Sequence, residues 1–428
     1  MIFWEMLLKR LISVQKNLMT NMDLEGLLQK VKNSSRKFAL VEDDAIREVL
    51  VKLADELEAR SGDILKANSE DLAKINEDDS IYDRVLLDEG RISAIAKSVR
   101  EISDYDSPID VVLEEKTLEN GLELSKVTTP LGVIGVIFEA RPNVVIDIFA
   151  LCFKAKNCCV LKGGSQSERS NEVLVDIIKS VLEDKSVIEL LPNDHELVGE
   201  FLKMDHYVDV IIPRGGKGLI DFVRKNSLIP VIETGAGVVH TYFDESGDLK
   251  NGAEIIFNAK TDRPSVCNSL DTLIVHNSHI ENLPSLCEKL SEKDVELRAD
   301  NRAFKALNGY KKLVKASEED FGTEYLGLVM SVKVVDTLDE AIDHINAYGS
   351  GHSEAIITEN KEAADKFLKA VDAAAVYVNT STRFTDGGIY GLGAEVGIST
   401  QKLHARGPMG IRELTSYKWQ IRGDGQIR

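Results

Sequence analysis

From Val133 to Arg224 the chain keeps one rhythm, and that rhythm restricts the fold more than any other feature. Short apolar runs at Val133–Phe138, Cys158–Lys162 and Val208–Ile212 alternate with helical stretches at Val144–Lys156, Ser167–Leu182 and Gly216–Arg224. An apolar run followed each time by a helix reads as βαβ, which predicts an α/β fold with a parallel sheet under helices. A second alternating set follows Tyr242: helix Leu249–Ala259, strand Leu270–Val275, helix Ile280–Leu290, strand Val332–Val335, helix Leu338–Ala347, strand Ala355–Thr358, helix Lys361–Ala370 and strand Ala375–Val378. Residues 23–76 read as helical, with Ile46, Val49, Leu50, Leu53, Ala54 and Leu57 at helical spacing. Outside the rhythm, Val111–Glu115 and Leu122–Val127 flank Asn120-Gly121, a strong hairpin signal. A hairpin with unpaired edges is a candidate for strand exchange between subunits.

With 428 residues, 43% of them hydrophobic, the chain can hold two or three domains. A net charge of −19 argues against nucleic acid, whose binding needs a basic face. No apolar run reaches the ~18–20 residues that span a bilayer, so no membrane partner is expected. Met1–Thr20 is apolar, with Lys9, Arg10 and Lys16, and is expected to be an N-terminal extension without a catalytic role. Five cysteines without C-x-x-C spacing, and with no His at a zinc-like offset, predict no metal and no disulfide framework. That usage suits a reducing, cytoplasmic compartment.

Cys152, Cys158 and Cys159 sit among apolar neighbours and Cys287 in a helical pattern, so these four are expected to be small core residues. Cys267 differs. It stands in the polar turn Thr261-Asp-Arg-Pro-Ser-Val-Cys267-Asn268, where a thiol is open to chemistry. Three Gly-containing turns follow predicted strands: Lys162-Gly163-Gly164-Ser165, Arg214-Gly215-Gly216-Lys217-Gly218 and Glu233-Thr234-Gly235-Ala236-Gly237. Glycine lets backbone approach a ligand and helix N-termini favour anions, but none of the three is a G-x-G-x-x-G or Walker motif.

Four passages carry a resemblance: Pro130–Asn143 (PLGVIGVIFEARPN), Asn258–Asn268 (NAKTDRPSVCN), Ala341–Glu354 (AIDHINAYGSGHSE), and Asn379–Gly388 (NTSTRFTDGG) with Gln401–Pro408 (QKLHARGP). Through them the chain resembles the aldehyde dehydrogenase superfamily and, within it, the γ-glutamyl phosphate reductase family, from about residue 23 to the C-terminus. The resemblance implies an extension at 1–21, an NADPH-binding domain at 22–110 and 128–240, oligomerisation strands at 111–127 and 412–428, and a catalytic domain at 241–411. It implies NADPH-dependent reduction of L-glutamyl 5-phosphate to L-glutamate 5-semialdehyde and phosphate through a cysteine thioester, the second step of proline biosynthesis from glutamate. It also implies a homo-oligomer, with a possible transient contact to glutamate 5-kinase.

By the same resemblance Cys267 is the nucleophile; its pKa must be lowered by nearby positive or dipolar groups, and Arg263 and Lys260 are the candidates in its own stretch of chain. The Asn143 side chain and the Cys267 backbone N–H are the oxyanion donors. Lys162 and Ser165 would meet the adenosine ribose and its phosphate, Gly215 and Gly216 the pyrophosphate, and Glu324 the nicotinamide ribose. His352, Ser353, Arg383, Thr385 and Asp386 are the substrate-binding candidates; His352 stands out for lying in a loop with no apolar face. Glu233 falls where oxidising relatives carry a water-activating glutamate, a group that a reductase does not need, so a structural or cofactor-lining role is expected. The rival readings are an oxidising aldehyde dehydrogenase and a non-catalytic nucleotide-binding relative.

Overall fold

The computed structural model describes residues 24–77 and 79–428, so the expected extension at 1–21 lies outside the described residues. The chain divides into two compact units. The first takes the described residues up to Glu233, with Leu392–Val396 and Met409–Arg428; the second takes Thr234–Gly391 and Gly397–Pro408.

In the first unit, the helical pattern over 23–76 resolves into helices at 24–38, Asp43–Ala59 and Ser61–Leu72. The predicted stripe is the buried face of the second helix: Ile46, Leu50, Leu53, Ala54 and Leu57 are buried. The hairpin forms as β1 (Val112–Thr117) and β2 (Glu123–Pro130), antiparallel, with the Gly121 turn at φ 85°. One edge of β2 is taken by the C-terminal strand Thr415–Arg422, paired along its whole length; it lies within 412–428, which the resemblance, not the local pattern, gave as a strand segment. Then follow β3 (Val133–Phe138), β4 (Cys158–Lys162), β5 (Ile188–Leu190) and β6 (Val210–Arg214), all parallel, in the order β5-β4-β3-β6. Every residue of β3 and β4 is buried, as a parallel sheet covered on both faces requires.

In the second unit seven parallel strands lie in the order β10-β9-β11-β8-β7-β12-β13. They are β7 (His240–Phe243), β8 (Thr272–His276), β9 (Glu296–Ala299), β10 (Leu313–Lys315), β11 (Val329–Val335), β12 (Ser353–Ile357) and β13 (Ala375–Val378). One apolar cluster packs the helix Leu249–Thr261 and Leu283, Leu286 and Leu290 on this sheet. A second packs Ala341, Ile342, Ile345 and Phe367 from the helices Leu338–Tyr348 and Lys361–Ala370.

Several expectations shift. The predicted helix Ile280–Leu290 is three short turns, Asn277–Asn282, Leu283–Leu286 and Glu288–Glu292. Pro284 explains the break, because it lacks an N–H and suits a helix start, not an interior. β5, β7, β9 and β10 are too short or too polar to stand out by pattern. The stretch near Ile229 makes a single parallel bridge, Val231 to Ile211. The boundary expected after residue 240 falls after Glu233, because Ile232 N–H still bonds the Ile211 carbonyl at 2.9 Å while Thr234 bridges Ser399. Residues 392–396 and 409–411, expected in the catalytic segment, belong to the first unit, where Val396 N–H bonds the Met409 carbonyl at 2.9 Å.

Candidate active site

The loop that carries Cys267 joins the end of the helix Leu249–Thr261 to β8, and its base is closed tightly. Leu270 N–H donates to the Ala259 carbonyl at 3.0 Å, and the Lys260 amine donates to the Leu270 carbonyl at 2.8 Å. Inside the loop Ser269 N–H turns back to the Val266 carbonyl at 3.0 Å. Cys267 is half-buried, whereas the other four cysteines are fully buried and none of the five is in a disulfide. Burial pushes the Cys158 and Cys287 thiols up to about 12, with Cys152 and Cys159 also raised, so these four stay protonated.

Against the Cys267 turn lies Gly237, from the third of the glycine turns. A Cβ on Gly237 would stand 1.6 Å from the Cys267 carbonyl oxygen, so only glycine fits there. The Gly237 N–H donates to Glu324 Oε1 at 2.9 Å. Glu324, expected at the nicotinamide ribose, therefore also holds the backbone that supports the thiol turn. Of the two cations expected to tune the thiol, Arg263 is exposed. Lys260 is fully buried, with its amine 3.8 Å from Asp271. Burial draws the Lys260 amine down to about 8 against the pull of Asp271, and raises the Asp271 carboxyl to about 7.

The expected substrate residues form a connected set beside Asn268. The Asn268 amide donates to the Thr385 carbonyl at 2.8 Å and the Arg383 carbonyl at 3.3 Å, and Thr382 Oγ1 donates to the Asn268 carbonyl at 2.9 Å. The Arg383 guanidinium reaches the Asn268 side-chain oxygen and Asp262, the latter at 3.1 Å. Thr385 Oγ1 shares hydrogen bonds with Ser353 Oγ and Tyr377 Oη, both at 2.7 Å, and Ser353 Oγ meets His352 Nδ1 at 2.8 Å. Here the reading of an open loop is corrected: His352, Ser353 and Thr385 are 0% exposed, and Ser353 begins β12. Burial lowers His352 to about 4, so the ring is neutral. Arg383 is half-buried; Asp386 is exposed and accepts from the Gly388 and Ile389 N–H groups.

In the first unit, Asn143 opens the helix Asn143–Lys154 and its amide donates to Asp147 at 2.9 Å. Burial raises the Asp147 carboxyl to about 6, opposed by that hydrogen bond and by Arg214. Lys162, at the end of β4, is buried and donates to Asn193 Oδ1 at 2.9 Å, while Ser165 is exposed one turn on. Gly215 and Gly216 are exposed before the helix Lys217–Asn226, and Gly216 N–H donates to Glu139 Oε2 at 2.9 Å. A helix N-terminus that already binds a carboxylate is an anion cradle. Sequence reasoning missed Glu139, Asp147, Asp271 and Tyr377; each is a common polar residue whose neighbours are distant in sequence or one helical turn away. Among the described residues no group of three His, Cys, Asp or Glu could hold a metal ion, and no helix is long and apolar enough to cross a membrane.

The model of the aldehyde dehydrogenase family matches residues 11–307 and 312–419. The chain is 56% identical over 408 residues to a gamma-glutamyl phosphate reductase from Chlorobaculum parvum, covering 94% of this chain and 97% of that one. It is 51% identical over 413 residues to a protein of the same name from Bacteroides thetaiotaomicron, covering 95% and 99%. Among solved structures, the gamma-glutamyl phosphate reductase of Thermotoga maritima superposes with a TM-score of 0.91 at 41% identity, over 95% of this chain and 99% of that one. An NADP-dependent glyceraldehyde-3-phosphate dehydrogenase from Bacillus halodurans, complexed with NADP, shares the fold at 17% identity and a TM-score of 0.68, over 94% and 91%.

Proposed function

The chain belongs to the aldehyde dehydrogenase family and, within it, to the γ-glutamyl phosphate reductases, and from that premise we propose that it reduces L-glutamyl 5-phosphate to L-glutamate 5-semialdehyde and phosphate in proline biosynthesis. The observation that carries the chemistry is the Cys267 turn: the one cysteine that is not buried, backed by Gly237 and framed by Asn268 and Arg383.

The Cys267 thiolate attacks the γ-carbonyl carbon, the C–O bond to phosphorus breaks, and phosphate leaves with the bonding electrons. A thioester remains on Cys267. The cofactor is a nicotinamide nucleotide, and we take it to be NADPH, which when bound supplies the hydride to the thioester carbon. The sulfur–carbon bond then breaks, releasing the aldehyde and restoring the thiolate. We assign the Cys267 N–H and the Asn143 amide as donors to the oxyanion that forms at each addition. The Gly215–Gly216 cradle and the Lys162 amine suit the anionic part of such a nucleotide, with Ser165 beside the adenosine ribose and Glu324 at the nicotinamide ribose. Arg383 and Asp386 are the charged candidates for the substrate's α-carboxylate and α-amino groups, with His352, Ser353 and Thr385 holding the loop that presents them.

The passages Asn379–Gly388 and Gly349–Glu354 speak against the oxidising rival, and a reductase needs no water-activating base. Glu233 lies 3.7 Å from Arg224 in an ion pair, consistent with a structural role. We further propose a homo-oligomer, because all six residues of β1 are exposed and Tyr417, Trp419 and Ile421 of the C-terminal strand are open. The acyl phosphate hydrolyses in water, which favours transient contact with the glutamate 5-kinase that makes it. Cysteines held outside disulfides suit a cytoplasmic location.

The test is oxidation of glutamate 5-semialdehyde with and without phosphate, first with NADP and then with NAD. Strict phosphate dependence and faster turnover with NADP are expected; phosphate-independent oxidation would favour the oxidising rival. The C267A variant is expected to bind cofactor normally and to lose turnover, and substantial residual activity would sink the nucleophile assignment.

A further inference from the structure

Three segments of the second unit meet around the Cys267 turn: the loop itself, the stretch from Gly237 to Val239, and Glu324–Tyr325. One buried side chain binds the second and third. Asp271 accepts from Val239 N–H at 3.3 Å through Oδ2 and from Tyr325 N–H at 3.1 Å through Oδ1. Its ion-pair partner Lys260 binds the first, by donating to the Leu270 carbonyl at the base of the Cys267 loop. The segments also touch directly, since Glu324 accepts from Gly237 N–H and Gly237 abuts the Cys267 carbonyl.

We propose that Lys260 and Asp271 are positioning residues, a buried ion pair that fixes the Cys267 loop, the Gly237 backbone and the Glu324 carboxylate in one mutual geometry. The proposal rests on the reading of Cys267 as the acyl-accepting thiol. Two considerations favour it over a plain stabilising role. A buried ion pair is poor at stabilising a fold, because desolvation of both charges offsets their attraction, and apolar replacements are often neutral. Here both side chains are almost fully withdrawn from water, at 0% and 3% exposure, yet every partner they have lies on a segment beside Cys267. The groups facing the pair are few: the Tyr325 ring lies 6.0 Å from the Lys260 amine, and the Glu324 charge bears on Asp271. Burial also draws the Lys260 amine down to about 8 and the Asp271 carboxyl up to about 7.

The test is the double variant K260M/D271N, which removes both charges and keeps an acceptor on residue 271. Iodoacetamide is the probe of the thiol, since the other four cysteines are buried. We expect a folded protein with kcat at least tenfold lower, KM for the acyl phosphate changed less than threefold, and the pH of half-maximal Cys267 alkylation moved by at least half a unit. Wild-type kcat and an unmoved alkylation profile in the folded double variant would overturn the proposal. Should that variant not fold, D271N alone is read the same way. D271E, which keeps the charge, is expected to recover most of the kcat that D271N loses; equal loss in both overturns the positioning role. Alkylation of wild-type Cys267 is expected to stop turnover. If turnover survives complete alkylation, the reading of Cys267 itself fails, a result distinct from failure of the pair.

Discussion

The Asn143 amide has two N–H groups, and Asp147 takes one of them at 2.9 Å. That bond sets which way the amide faces, and in the proposed mechanism the second N–H serves the oxyanion. N143A is therefore expected to lower kcat by about 10²–10³-fold with little change in cofactor affinity, measured by steady-state kinetics and NADPH titration. Glu233 should behave in the opposite way: with a partner at 3.7 Å in Arg224 and no water to activate, E233Q is expected to keep reductive rates within a few-fold. A collapse of activity in folded E233Q would return it to the chemistry. At this scale the sequence marked Cys267 by its polar turn. It could not mark Asp147 or Asp271, because nothing in one sequence shows which common aspartate lies under a catalytic turn. His352 was misread for a related reason: a run of Gly, Ser and His looks solvent-facing, yet packing leaves the ring 0% exposed.

Two elements carry the next level of argument. The Gly237–Val239 stretch supports the thiol turn only because residue 237 has no side chain. G237A must push backbone away from the Cys267 carbonyl, and a displacement of about 1 Å at a reacting centre costs on the order of a hundredfold. Kinetics combined with Cys267 alkylation rates would show it; unaltered kcat would mean that the contact is not maintained in solution. The β1–β2 hairpin with the C-terminal strand is the second element. Lys126 covers Tyr417, 3.8 Å from the ring centroid, yet Trp419 is 40% and Ile421 59% exposed. The paired change W419E/I421E is expected to lower the mass seen by light scattering while leaving the secondary structure intact. The hairpin was legible from Asn-Gly between β-prone runs. Its third strand came only from the resemblance, which placed a strand segment at 412–428, because Thr415–Arg422 has no buried face of its own and gains its identity from the β2 edge it pairs with.

Across the molecule, buried titratable groups set how stability responds to acid. His344 packs edge-on against Phe321, with ring centroids 5.1 Å apart, and burial lowers it from 6.5 to about 3. Between those values the unfolded chain holds the proton and the folded one does not, so this residue makes stability fall as pH falls. Asp147 and Asp271, raised to about 6 and about 7, act in the opposite sense over the range above their ordinary value of 3.8. Comparing wild type with H344F isolates the histidine. The variant should gain relative stability below pH 6.5, by at most ~1.4 kcal/mol per pH unit, measured by denaturant unfolding at several pH values; a difference that stays flat with pH would refute the buried neutral state. The sequence by itself determined the two parallel α/β alternations and the hairpin, because strand burial and turn chemistry are local properties read from neighbours in the chain, and it set Cys267 apart from the other four cysteines by its polar turn. Tertiary structure alone decided the strand order, the shift of the unit boundary to Glu233, the burial of His352, Ser353 and Thr385, and the convergence of residues 237, 260, 271 and 324 around Cys267. Those depend on contacts between residues far apart in the chain, and one sequence carries no direct record of such pairs.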